Sequence, residues 1–109
     1  MLTFDSYQDF AKTTARKIVS DNECLLITAI ALAGESGELC NKIKKIVYHG
    51  HQIDISDIIE ELGDILWYIA NFCNYYNISL DNIAAKNIEK LKARYPAGFS
   101  NEASIKREK

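Results

Sequence analysis

Apolar residues recur every three or four positions along this chain, and short polar clusters interrupt the recurrence. The first segment, Thr3 to about Val19, predicts a helix. Phe10, Ala11, Ala15 and Ile18 fall at helical spacing, and Ser6 with Asp9 has the form of a capping box. Ser20-Asp21-Asn22 reads as a break and the next N-cap. A longer helix is predicted from about Glu23 to Tyr48. The connector His49-Gly50-His51-Gln52 ends it, with Gly50 as the C-terminal stop. Asp54 starts a third helix that reaches about Tyr76. Asn77-Ile78-Ser79 is a turn, and Ser79 caps a fourth helix over Leu80 to Arg94 or Tyr95, halted by Pro96. The remaining "AGFSNEASIKREK" reads as a polar tail. Strand-type alternation and internal repeats are absent from the sequence. The expectation is an all-α bundle of four to five helices: residues 1–99 as a single domain and 100–109 as the tail.

Two stretches break the pattern that surrounds them. "GESGEL" (34–39) lies inside the long second helix, and "EELGDIL" (60–66) repeats the move in the third. Glycine inside a helix costs roughly 1 kcal/mol against alanine. A carboxylate beside apolar surface loses hydration that something must replace. At about 100° per residue, Leu25, Leu32, Leu39, Ile43, Ile46 and Val47 share one arc of the second helix. Glu35 lies at the edge of that arc and Glu38 further round, on the flank of Lys42 and Lys45. In the third helix Ile55, Ile58, Ile59, Leu62, Ile65, Leu66 and Ile69 make the arc. Glu61 lies at its edge and Asp64 further round, on the same relative side. If the two stripes face each other, four carboxylates converge at one rim.

Four converging carboxylates require a counter-charge. A hard divalent cation with oxygen ligands supplies one. Mg²⁺ is the expected ion, with Mn²⁺ able to stand in, and it keeps positions open for water and phosphate oxygens. The glycines at 34, 37 and 63 would let a ligand or another backbone approach the acids. The bland alternative is surface decoration, with Glu38 and Lys42 as an i, i+4 pair worth a few tenths of a kcal/mol. A single E-x-x-E carries little weight; the doubled, glycine-flanked pattern carries more.

"GESGEL", followed 22 residues after Glu38 by "EELGDILWY", resembles the E-x-x-E … E-x-x-D signature of the MazG-like all-α nucleoside triphosphate pyrophosphohydrolases. "NIEKLKARYPAGF" is similar to that group's last helix, so the resemblance runs from about Leu2 to Phe99. It implies Mg²⁺-dependent cleavage between the α and β phosphates, giving a nucleoside monophosphate and pyrophosphate. It also implies a homodimer or homotetramer with sites near subunit contacts. The metal ligands and catalytic acids carry over onto Glu35, Glu38, Glu61 and Asp64. Some members have a glutamate directly before the first ligand, where this chain has Gly34. Either a metal-bound water then needs no separate base, or one of the four acids or Glu60 assists. The resemblance makes Lys90 and Arg94 phosphate candidates, with Asn87 on the same face, against a solvated basic face as the alternative. Lys42 and Lys45 are second choices. Trp67 and Asn71 follow Asp64 at i+3 and i+7. They could meet a base or sugar, or Trp67 could pack on the first helix or another subunit.

Composition narrows the picture further. With 109 residues, 48% hydrophobic, 26% charged and a net charge of −2, the chain has no basic field for a nucleic-acid polymer or an acidic membrane. It shows no basic-then-apolar leader and no run of about 18 apolar residues, so a cytoplasmic location is expected. Cys24, Cys40 and Cys73 are odd in number and lie in apolar helical segments, which suits reduced thiols. His49 and His51 read as a polar connector. A carboxylate-bridged di-iron bundle needs Glu-x-x-His motifs that the chain lacks. A non-catalytic helical interaction module, dimerising through Trp67 and its neighbours, is the competing function.

Overall fold

The computed structural model describes residues 1–106, in five helices with no strand among them. Helix α1 (Phe4–Thr14) is capped by Thr3: Thr3 Oγ1 accepts from Ser6 N at 3.0 Å, and Ser6 Oγ accepts from Thr3 N at 2.8 Å. The capping box therefore begins three residues before the Ser6–Asp9 pair. The helix also stops short of Val19. Thr13 and Thr14 turn their hydroxyls back onto the carbonyls of Phe10 and Ala11, and Ala15 is already extended. Side-chain bonding of this kind competes with helix propagation.

Helix α2 (Asp21–Tyr48) starts on Ser20, whose hydroxyl accepts from Glu23 N at 3.1 Å. Gly50, at φ 70°, takes the left-handed conformation that ends it. Helix α3 (Ile55–Tyr76) starts on Asp54 and ends on Asn77 at φ 59°. Helix α4 (Leu80–Arg94) starts on Ser79, which accepts from Asn82 N at 3.2 Å. The expected tail holds one further element, α5 (Asn101–Lys106), where Ser100 Oγ accepts from Ala103 N at 3.0 Å.

Helices α2 and α3 form the main seam and run antiparallel. Tyr75 reaches Asp21 at one end and Lys42 reaches Asp57 at the other. Helix α1 lies on α3, and α4 packs chiefly on α1. The core is small: Ala11, Ala70, Cys73 and Leu80, with Tyr7, Leu66, Trp67 and Ile69 around it. Gln8, buried beside this core, ties α1 to the α3–α4 turn. Its amide nitrogen donates to Ile78 O at 2.8 Å and its oxygen accepts from Leu80 N at 2.7 Å.

The two apolar stripes do not close fully on each other. Leu25, Ile43 and Val47 of α2, and Ile55, Ile59 and Leu62 of α3, remain exposed. The Cα radius of gyration is 17.1 Å, against about 13 Å for a compact domain of this length. A stripe wider than one facing helix can cover leaves part of itself open, and that part is what the wheel assigned to the seam.

Candidate functional site

Antiparallel packing sets the middle of α2 against the first half of α3, and two of the three acids that meet there lie one turn apart on α2. Glu35, Glu38 and Glu61 each offer a carboxylate oxygen, and these oxygens all lie within 4.8 Å of one another. Glu61 is buried, Glu35 half-buried and Glu38 exposed. Asp64, one turn beyond Glu61, is exposed and stands outside this group of three. Its charge still reaches Glu35 and Tyr7.

The group is electrically unbalanced. Glu35 is pushed above the ordinary carboxylate range, first by its close contact with Glu61, then by lost hydration and by the charges of Glu38 and Asp64. Glu61 is held below that range, chiefly by the ammonium of Lys42. Oε2 of Glu35 and Oε2 of Glu61 are both buried without a hydrogen-bond partner among the described residues. Buried oxygens are rarely left that way. A donor set made wholly of carboxylate oxygens, two of them unsatisfied, fits a hard divalent cation.

Lys42 is placed differently from either sequence reading. Its ammonium crosses to α3 and donates to Asp57 Oδ1 at 2.9 Å and Glu61 Oε1 at 3.0 Å. No bond to Glu38 is present among the described residues, so the i, i+4 pair does not form. Asp57 escaped notice in the sequence, although it precedes Glu61 by four residues and shares its face. Lys45 lines a 200 Å³ hollow beside this ion pair, with His51, Gln52 and Asp54.

Past the acids, the seam opens into a cavity of about 340 Å³ between the end of α1, the start of α2 and the middle of α3. Trp67 and Asn71 line it, with Thr14, Ile18, Cys24 and Thr28. The Trp67 indole N–H donates to Thr14 Oγ1 at 2.8 Å, which ties that ring to α1. Asn71 Oδ1 accepts from Asn74, while its buried Nδ2 has no acceptor. The α4 residues stand apart. Asn87 and Lys90 are exposed and Arg94 is half-buried. None of the three bonds to the acids among the described residues. The glycines also lack the close neighbour expected of them: a Cβ at Gly34, Gly37 or Gly63 would meet nothing within 4 Å.

An all-helical protein with paired acids on two facing helices is the class that fold and site define. The chain belongs to the MazG nucleotide pyrophosphohydrolase domain family, whose model matches residues 25–99. That span contains α3, α4 and nearly all of α2, so all four predicted ligands fall inside it. The chain is also similar to the "Gene 37 protein" of Mycobacterium phage L5, 35% identical over 80 residues, which cover 70% of each chain. No solved structure matches it. Among the described residues no helix is long and apolar enough to cross a membrane.

Proposed function

We propose that this protein is a Mg²⁺-dependent pyrophosphohydrolase that converts nucleoside triphosphates, deoxynucleotides foremost, to the monophosphate and pyrophosphate. One observation carries the reading: acids from two helices come together with two buried carboxylate oxygens left unsatisfied. Glu35, Glu38 and Glu61, with Asp64 at the rim, would hold the ion. Bound there, Mg²⁺ would supply Lewis-acid stabilisation of charge developing on phosphate oxygens. Trp67 and Asn71, one and two turns beyond Asp64 on α3, line a cavity of about 340 Å³, and the free amide donor of Asn71 suits a base carbonyl.

Phosphate charge needs cations, and Lys42 is already committed to two carboxylates. Lys90 and Arg94 remain the first candidates, with the neutral amide of Asn87 as a donor beside them and Lys45 of α2 as the second choice; the α4 residues lie on a helix that packs chiefly on α1 of its own chain. The exposed stripes of α2 and α3 support a homo-oligomer, dimer or tetramer, in which α4 of one copy approaches the acids of another. The same stripes also favour the rival reading of a non-catalytic interaction module, which leaves the convergent acids unexplained.

Product analysis with a panel of NTPs and dNTPs tests the proposal. Monophosphate plus pyrophosphate, abolished by EDTA, is the expected result, and the fastest base names the substrate. Diphosphate plus phosphate would overturn the bond assignment. Absence of turnover on every nucleotide would favour the interaction module.

A further inference from the structure

Glu61 and Lys42 form a more specific arrangement than a pair of opposite charges. The Glu61 side chain is buried, and its two oxygens live differently: Oε1 accepts from Lys42 Nζ at 3.0 Å, while Oε2 accepts from nothing among the described residues. Lys42 in turn has a second anchor, Asp57 Oδ1 at 2.9 Å, on the first turn of α3. The relay Asp57–Lys42–Glu61 thus closes between two helices. Lys42 sits on α2, one turn beyond Glu38, and Asp57 sits on α3, one turn before Glu61.

We infer that Lys42, steadied by Asp57, is a positioning residue for the metal: it grips one oxygen of Glu61 and leaves the other aimed at the site shared with Glu35 and Glu38. The inference rests on the proposed metal-dependent function and goes beyond its ligand set. The physical reason is rotational. A carboxylate on a flexible glutamate stem can present either oxygen, both, or neither. A donor that spans the seam removes that freedom before the ion arrives, as outer partners do for metal ligands generally. The geometry fits this role better than phosphate binding. An ammonium with two of its three protons given to carboxylates 2.9 and 3.0 Å away has little left for an incoming anion. It also fits better than a surface ion pair, since the Glu61 side chain retains only 9% of its exposure and Lys42 31%.

The test is direct titration of the purified, full-length protein with Mn²⁺, following the free-ion signal by electron paramagnetic resonance. Lys42→Met keeps the stem and removes the ammonium. Asp57→Asn keeps the ammonium and loosens its anchor. Lys42→Arg keeps charge and donors. The expected result is affinity about 10- to 100-fold weaker for K42M. D57N should fall between K42M and the wild type, and K42R should retain binding. Helical circular dichroism should be unchanged in all three. Unchanged or tighter Mn²⁺ binding by K42M overturns the inference, because removal of a purely repulsive cation would tighten it. If K42M fails to fold, D57N decides alone, and wild-type affinity there overturns the inference. A wild-type protein that binds no Mn²⁺ would instead remove the metal-dependent reading, and this inference with it.

Discussion

Gln8 and Glu61 are the two buried polar side chains among the described residues, each 7% exposed, and the molecule treats them in opposite ways. Gln8 is fully used. Its amide spans the α3–α4 turn with bonds of 2.8 and 2.7 Å, and its backbone carbonyl accepts from Asn74 at 3.0 Å. Glu61 is used by half, with one oxygen held by Lys42 and the other open toward Glu35. Burial makes an unmet hydrogen bond costly, so a fold retains one where something outside the fold completes it. The first residue fastens the scaffold; the second, under the proposed function, marks the place where a metal ion would complete it.

That contrast is broken most sharply by turnover. Glu61→Gln should lower Mg²⁺-dependent triphosphate hydrolysis roughly 100-fold, whereas Gln8→Ala should leave turnover per folded molecule close to wild type. Steady-state rates at saturating Mg²⁺ check both. Equal losses in the two variants would erase the distinction. Stability should report the reverse order. Gln8→Ala strands the Leu80 N–H and the Ile78 carbonyl, and should cost about 2–3 kcal/mol in urea denaturation. Adding Mg²⁺ should raise the melting temperature of the wild type and not of E61Q, because a ligand of the native state stabilises it by mass action.

Gly37→Ala gives a smaller effect and sharpens the comparison. The added methyl meets nothing within 4 Å among the described residues, so α2 should gain about 0.5–1 kcal/mol. If activity falls while stability rises, the open space beside Gly37 belongs to the substrate or to a second copy. The smallest effect concerns the far end of the α2–α3 seam. There the Tyr75 hydroxyl donates to Asp21 at 2.9 Å, and this contact pushes its pKa from 10.0 up to about 12. A raised pKa means stability fully present below pH 10 and lost as pH climbs through 12. Tyr75→Phe should remove that step from thermal melts across this window and leave metal binding untouched.

The helices were legible because their signals are local. Ser20, Asp54 and Ser79 cap where the sequence placed caps, and Gly50 and the Asn77 turn end their helices as read. Helix α1 misled because Thr13 and Thr14 donate their hydroxyls back to the carbonyls of Phe10 and Ala11, which apolar spacing does not register. The short α5 was missed for a similar reason: one turn capped by Ser100 carries almost no periodicity. At the site, the convergence of Glu35, Glu38 and Glu61 follows from two i, i+3 pairs beside facing stripes, so it could be read in advance. The partner of Lys42 could not. Glu38 is its nearer acid in sequence, yet the rotation of α2 against α3 turns the ammonium to Asp57 and Glu61.

The sequence by itself determined the all-helical class, the caps of α2, α3 and α4, and the approach of Glu35 and Glu38 to Glu61, because helix periodicity and capping act over a turn or two of chain. Tertiary structure alone decided which oxygen of Glu61 stays free, that Lys42 serves carboxylates, that Trp67 and Asn71 border a cavity, and that much of both apolar stripes stays uncovered. Those outcomes depend on the angle and register between helices. Many weak contacts summed across a seam set that geometry, and no single stretch of residues encodes it.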